Sequence, residues 1–308
     1  MATMTEGALD FAGAQARLRP FLRRTPLLTL EVPTPTGPIT AVAKLECLQI
    51  TGSFKARGAL NAIAQSPALD VVACSGGNHG LGVAHAAQVL GRRATIFLPT
   101  DAPRAKVAGL HRLGARLIQP SASMAGAFEA AARFAEASGC PLIHPYDLET
   151  VVEGQGTLGR ELREEAPEVR EWAVAVGGGG LAAGLSLALE GHARVVVVEP
   201  ETCACYDAAL HAGHPITIQP SGPARSSLGA PQVGALPFGI LGHRVAPPLL
   251  VTDGELLEAQ AWLWGEARVL AEVGACAGLA ALRSGRWRPE GPAGLVICGG
   301  NVDGLPGT

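Results

Sequence analysis

Short runs of β-branched and aliphatic residues recur along this chain: Val71-Val72-Ala73, Ala94 to Leu98, Trp172 to Val176, Val195 to Val198 and Leu295 to Ile297. None carries a charged side chain. A strand that is apolar on both sides has to be covered on both sides, which is the situation inside a parallel sheet flanked by helices. Alanine-rich stretches between the runs can supply those helices. The pattern therefore predicts an α/β protein with open, mostly parallel twisted sheets.

The order of signals adds detail. Val71 to Pro99 reads as strand, Gly-rich loop, helix from about Leu81 to Leu90, and strand. A second unit follows, with a helix starting near Pro103, a strand over Ala115 to Ile118, a helix over Met124 to Ala137, and the short run Pro141-Leu142-Ile143. Ala173 to Leu189 is uncharged, yet four consecutive glycines interrupt it and it falls short of the ~20 residues a bilayer needs. It reads as a buried strand, a loop and a helix.

The 308 residues suffice for one large or two medium domains. A net charge of -3 provides no basic surface for phosphate backbones or anionic lipid, so neither nucleic acid nor membrane is expected as a partner. Seven scattered cysteines, odd in number, lack metal-ligand spacing, and no signal peptide precedes them. A reduced, cytoplasmic setting is expected.

Four small-residue loops stand out. After Trp172 to Val176 come Gly177, Gly178, Gly179 and Gly180, then the helix-prone Leu181-Ala182-Ala183. Such a turn can aim consecutive N–H groups and a helix N-terminus at one phosphate, although a plain turn between buried elements accounts for it equally well. Lys55 lies at the start of a helix, in Gly52-Ser53-Phe54-Lys55-Ala56-Arg57-Gly58. A partly desolvated amine there is a nucleophile suited to a Schiff base, and a solvated helical lysine is the plainer reading. Ser75-Gly76-Gly77-Asn78-His79-Gly80 opens another helix with N–H groups suited to a carboxylate; His79 reads better as a packed helix-start residue than as a general base. Cys298-Gly299-Gly300-Asn301 follows a strand, at the sheet edge where α/β proteins place ligands.

In this order and spacing the four loops resemble the cofactor site of the pyridoxal-phosphate enzymes of fold type II (tryptophan synthase β-like), specifically the threonine/serine dehydratase and serine racemase group. Arg24-Thr25-Pro26-Leu27, Glu153-Gly154-Gln155-Gly156-Thr157, Val198-Glu199-Pro200 and Glu272 ahead of Gly274-Ala275 extend the resemblance over nearly the whole chain. It implies a large cofactor domain of residues 1–65 and 148–308, with a smaller domain of residues 66–147 inserted, and no C-terminal regulatory domain after Asn301.

The resemblance also implies residue roles. Lys55 carries pyridoxal 5'-phosphate and later takes the α-proton of an amino acid. Phe54, Asn78, Gly177, Gly178, Gly179, Gly180, Leu181 and Cys298 complete the cofactor site, while Ser75, Gly76, Gly77, Asn78 and His79 receive the substrate carboxylate. The implied reaction is loss of the β-hydroxyl and amine from L-threonine or L-serine, in a homodimer. Racemisation or dehydration of serine or hydroxyaspartate, β-replacement, and binding of the cofactor or an amino acid without turnover are the alternatives.

Three departures from the family pattern bear on this. Gly76 stands where the racemases carry a second serine, which favours elimination. Cys298 replaces the usual Ser or Thr beside the pyridine nitrogen. Beyond Glu199-Pro200, Cys205 occupies the place of a second carboxylate, so the divalent-cation site that relatives build on the residue matching Glu199 is expected to be lost. The segment from Pro223 to Gly229 also lacks the family's acidic residue.

Overall fold

The computed structural model describes residues 9–102, 104–302 and 304, the side chains of 104–106 excepted. Along the chain it runs α1 (Phe11–Leu18), β1 (Leu27–Thr34), β2 (Gly37–Lys44), α2 (Lys55–Ala64), β3 (Asp70–Cys74), α3 (Asn78–Val89), β4 (Arg93–Phe97), α4 (Arg104–Arg112), β5 (Arg116–Ile118), α5 (Met124–Ser138) and α6 (Glu149–Glu165). There follow β6 (Glu171–Ala175), α7 (Gly180–Ala188), β7 (Arg194–Pro200), α8 (Cys205–Ala212), α9 (Arg225–Leu228), α10 (Ala235–Leu241), β8 (Leu249–Val251), α11 (Asp253–Ala267), α12 (Ala277–Arg283) and β9 (Ala293–Val296). Pro103, where a helix is expected to begin, lies outside the described residues.

The strands form two sheets. The larger has the order β1-β2-β9-β6-β7-β8, parallel throughout except for the antiparallel β1–β2 hairpin at one edge. The smaller is β3-β4-β5, all parallel. Pro141 to Ile143 extends it beside β3, with Val72 N donating to Pro141 O and Ile143 N to Val72 O. The α/β class with open, mostly parallel sheets is as the uncharged runs predict: every residue of β6 and of β9 is buried.

Helix ends follow local chemistry. Ser123 caps α5 by accepting from Gly126 N, and Gly139 ends that helix in the left-handed region. Thr252 and Glu255 form a reciprocal capping box on α11.

Behind α2 lies a buried ionic cluster. The fully buried Arg57 bonds Glu46 and Glu161, and the equally buried Lys44 bonds Glu161 and Glu165. Burial alone pulls the Arg57 guanidinium down, but the two carboxylates outweigh it and hold its pKa above the ordinary value. The cluster ties α2 to α6 and to the segment after β2.

Candidate active site

In a parallel sheet the carboxyl ends of all strands open on one edge, and the loops leaving that edge meet there. The segment before Lys55 is sewn onto the end of β9: Cys47 N donates to Ile297 O (2.7 Å), Phe54 N to Cys298 O (3.1 Å), and Gly300 N to Gly52 O (2.8 Å). Lys55 then begins α2, and its Nζ donates to Pro145 O at 2.9 Å. The amine sits 5.1 Å from the Phe54 ring centroid and 6.0 Å from that of Tyr146. Burial lowers its pKa to about 8, with Cys298 and Glu272 acting in the opposite direction. An amine so placed supplies neutral nucleophile near neutral pH.

Gly177 to Gly180 leave β6 and open α7. Tyr146 connects this loop to the amine. A Cβ on Gly178 would lie 2.0 Å from Tyr146 Cδ1, and one on Gly180 would lie 3.0 Å from Tyr146 Cα. Gly179 has a φ of +88°, which a side chain would strain. Tyr146 Oη donates to Gln232 O, while Gly234 N donates to Gly178 O. The N–H groups of Gly178 to Leu181 have no acceptor among the described residues. Consecutive free donors at a helix N-terminus fit a phosphate group.

The loop after β3 is anchored by Ser75, whose N donates to Phe97 O and whose Oγ accepts from Gly77 N. Gly76 N and the N–H groups of Asn78 and His79 have no acceptor among the described residues. Asn78 opens α3, and that helix packs on the Lys55 turn so closely that a Cβ on Gly82 would lie 3.0 Å from Lys55 O. The Asn78 amide bonds Glu272 and Asn301. His79 is buried, with Nε2 bonded to Ile143 O, and burial lowers its pKa to about 3. Its imidazole is neutral and committed to packing. Cys298 is a buried thiol pushed up to about 12 by burial and by Glu272, so it stays protonated. Ser53 Oγ and Thr51 Oγ1, just before Lys55, are buried without a partner among the described residues. An aldehyde-bearing, phosphorylated ring suits this set: an amine for the aldehyde, free N–H donors for the phosphate, a neutral thiol and an amide for ring heteroatoms.

Glu199 lies outside this set. Its carboxylate accepts from Tyr206 N (3.0 Å) and Asp207 N (2.8 Å), capping α8, and burial raises its pKa to about 8. The Cys203 and Cys205 thiols donate to Ser221 O and Gly177 O. Pro145 and Tyr146 were absent from the sequence expectations, although His144-Pro145-Tyr146-Asp147 directly follows a strand-like apolar run and so had to exit at the sheet's carboxyl edge.

Residues 18–299 match the family model described as "Pyridoxal-phosphate dependent enzyme". An L-threonine ammonia-lyase of Thermotoga maritima is 35% identical over 301 residues, covering 96% of this chain and 75% of that protein. A serine racemase of Arabidopsis thaliana is 32% identical over 308 residues, covering 96% and 93%. Among solved structures, maize serine racemase superposes with a TM-score of 0.88 at 31% identity, covering 95% of this chain and 93% of that one.

Proposed function

The chain belongs to the pyridoxal-phosphate-dependent enzyme family, with pyridoxal 5'-phosphate as its cofactor, and we propose that it is an ammonia-lyase removing the β-hydroxyl and the amine of L-threonine or L-serine. The observation that carries this reading is a one-sided supply of proton acceptors. The Lys55 amine, hydrogen-bonded to Pro145 O, has a pKa lowered to about 8, and Gly76 brings no second side chain to the Asn78 loop.

When bound, the cofactor supplies an aldehyde for the amine and a ring that withdraws electrons from the substrate's α-carbon. The chain's own residues do the rest. The N–H groups of Gly178 to Leu181 hold the phosphate. One Asn78 N–H would serve the ring oxygen, and a neutral Cys298 thiol beside the ring nitrogen would leave it uncharged, which would favour elimination over transamination. Gly76, Asn78 and His79 offer N–H donors to the substrate carboxylate. Lys55 Nζ, neutral above a pKa of about 8, would take the α-proton of the substrate. The proton that Lys55 takes and the β-hydroxyl would together leave as one water, and a second water would hydrolyse the released enamine to a 2-oxo acid and ammonia.

We further propose that residues 66–147 form a small domain inserted into a larger one made of 1–65 and 148–308, that the protein is a homodimer, and that it works in the cytoplasm. Two sheets separated along the chain support the partition, and seven unpaired thiols support a reducing compartment. Among the described residues no helix is long and apolar enough to cross a membrane. The test is a panel of L-threonine, L-serine, D-serine and 3-hydroxyaspartate with the cofactor-loaded protein. Release of a 2-oxo acid and ammonia from the first two, with no added nucleophile and no D-product, is expected; racemisation without 2-oxo acid would overturn the reading.

A further inference from the structure

Asn78 is bound on both ends of its amide. Nδ2 donates to Glu272 Oε2 at 2.8 Å, and Oδ1 accepts from Asn301 Nδ2 at 2.7 Å. Asn301 Nδ2 also donates to Thr51 O at 2.9 Å. An ionised carboxylate and a backbone carbonyl can only accept. Glu272 therefore requires the nitrogen end of Asn78, and Thr51 requires the nitrogen end of Asn301, which in turn requires the oxygen end of Asn78. Two independent acceptors dictate one amide orientation. One Nδ2 hydrogen of Asn78 is left uncommitted.

The surrounding chain is shaped for this arrangement. Glu272 is buried, and its N donates to Gly299 O. A Cβ on Gly299 would lie 1.9 Å from Glu272 Oε2 and 3.3 Å from Asn78 Nδ2. The glycine is thus the space in which the carboxylate reaches the amide. The four partners come from the segment before Lys55, the start of α3, the loop before α12 and the segment after β9, which sequence patterning does not connect.

We propose that Glu272 and Asn301 are positioning residues that hold the Asn78 amide with its free N–H available to an anionic ring oxygen. This rests on the cofactor reading above. An amide free to turn would present its carbonyl to the same oxygen half of the time, replacing attraction with repulsion. Held as it is, Asn78 can only donate.

The test uses the purified full chain loaded with pyridoxal 5'-phosphate and compares Glu272→Ala, Glu272→Gln and Asn301→Ala with the wild type. The readouts are cofactor affinity by absorbance titration and the pH midpoint of the cofactor's visible band. Glu272→Ala and Asn301→Ala are expected to weaken cofactor binding at least tenfold and to move the midpoint by a pH unit or more. Glu272→Gln retains both the bulk and an acceptor oxygen and is expected within about threefold of wild type, while the midpoint shift in the Ala variants is the readout that a space-filling role would not move. Wild-type affinity and midpoint in either Ala variant would overturn the proposal, and should Glu272→Ala fail to fold, Asn301→Ala decides it. A wild type that takes up no cofactor at all would instead sink the function reading, before any variant is compared.

Discussion

Lys55 Nζ and the carbonyl oxygen of Pro145 are 2.9 Å apart, and this hydrogen bond places the amine, whose pKa burial lowers to about 8, beside Tyr146, the residue that meets the glycine loop. The partners are far apart in sequence, so the bond exists only in the folded chain. An amine has to be neutral to attack an aldehyde, and Lys55 loses its proton at about 8. The rate of cofactor uptake by the cofactor-free protein is therefore expected to rise from pH 6.5 and level off above about 8.5, as followed by stopped-flow absorbance. Lys55→Ala should abolish turnover, by three orders of magnitude or more, together with the visible band.

Tyr146 fills the space that a side chain on Gly178 would need. Gly178→Val should displace the ring or the loop, costing about 1–3 kcal/mol in overpacking and at least tenfold in phosphate-dependent cofactor affinity. Tyr146→Phe loses only the bond to Gln232 O, so about 1 kcal/mol of stability is expected to go, measured by urea unfolding.

At Gly76 a Cβ meets nothing closer than 3.9 Å, from Ala102 and Leu98. Gly76→Ser is accordingly expected to fold with a melting temperature close to the wild type. If the resemblance to the racemases extends to this loop, the variant gains D-serine formation from L-serine, detectable by chiral chromatography. A variant that folds and still yields only 2-oxo acid would separate this loop from racemisation.

His79 and His144 are held neutral by burial, with pKa values of about 3 and about 4 against an ordinary 6.5. Both take up protons more readily in the unfolded chain. Their contribution to stability is complete above pH 6.5 and is lost as pH falls toward 4 and then 3. Unfolding free energy of the cofactor-free protein should drop through that window, and His79→Gln should flatten the slope by roughly one proton, about 1.4 kcal/mol per pH unit.

Arg57→Met would leave the Glu46 and Glu161 carboxylates buried without their guanidinium. A loss of about 3–5 kcal/mol in urea unfolding is expected. Because Arg57 lies on the same helix as Lys55 but bonds away from the Gly loop, cofactor affinity at low denaturant should change far less than stability.

Much of the fold was legible because the interior of a covered strand is apolar: β3, β4, β6, β7 and β9 each overlap one of the uncharged runs, with Asp70, Arg93, Glu171 and Arg194 at the first positions of β3, β4, β6 and β7. The β1–β2 hairpin was not. β1 includes Glu31 and Pro33 and alternates exposed with half-buried positions around the one buried residue, Val32, as an edge strand can, and the turn at Gly37 depends on a φ of +117°. At the site, Lys55 and the loops around Asn78 and Gly177–Gly180 announced themselves through local composition. Tyr146 gave no such signal, and although Glu272 and Asn301 stood in phrases that carry the resemblance, their contacts with Asn78 did not show, because a polar side chain that bonds across a fold leaves no periodic trace in its own neighbourhood. His79, expected as a packed helix-start residue, is buried with Nε2 on Ile143 O.

The strand β9 lies between β2 and β6, and its pairing with β2 joins positions about 250 residues apart. During synthesis on the ribosome, the earlier strands of that sheet must wait with open edges until this late segment emerges. The segment that carries Lys55 is bonded to the end of that same strand, so the cofactor's amine is fixed in place only after β9 has been made and has joined the sheet.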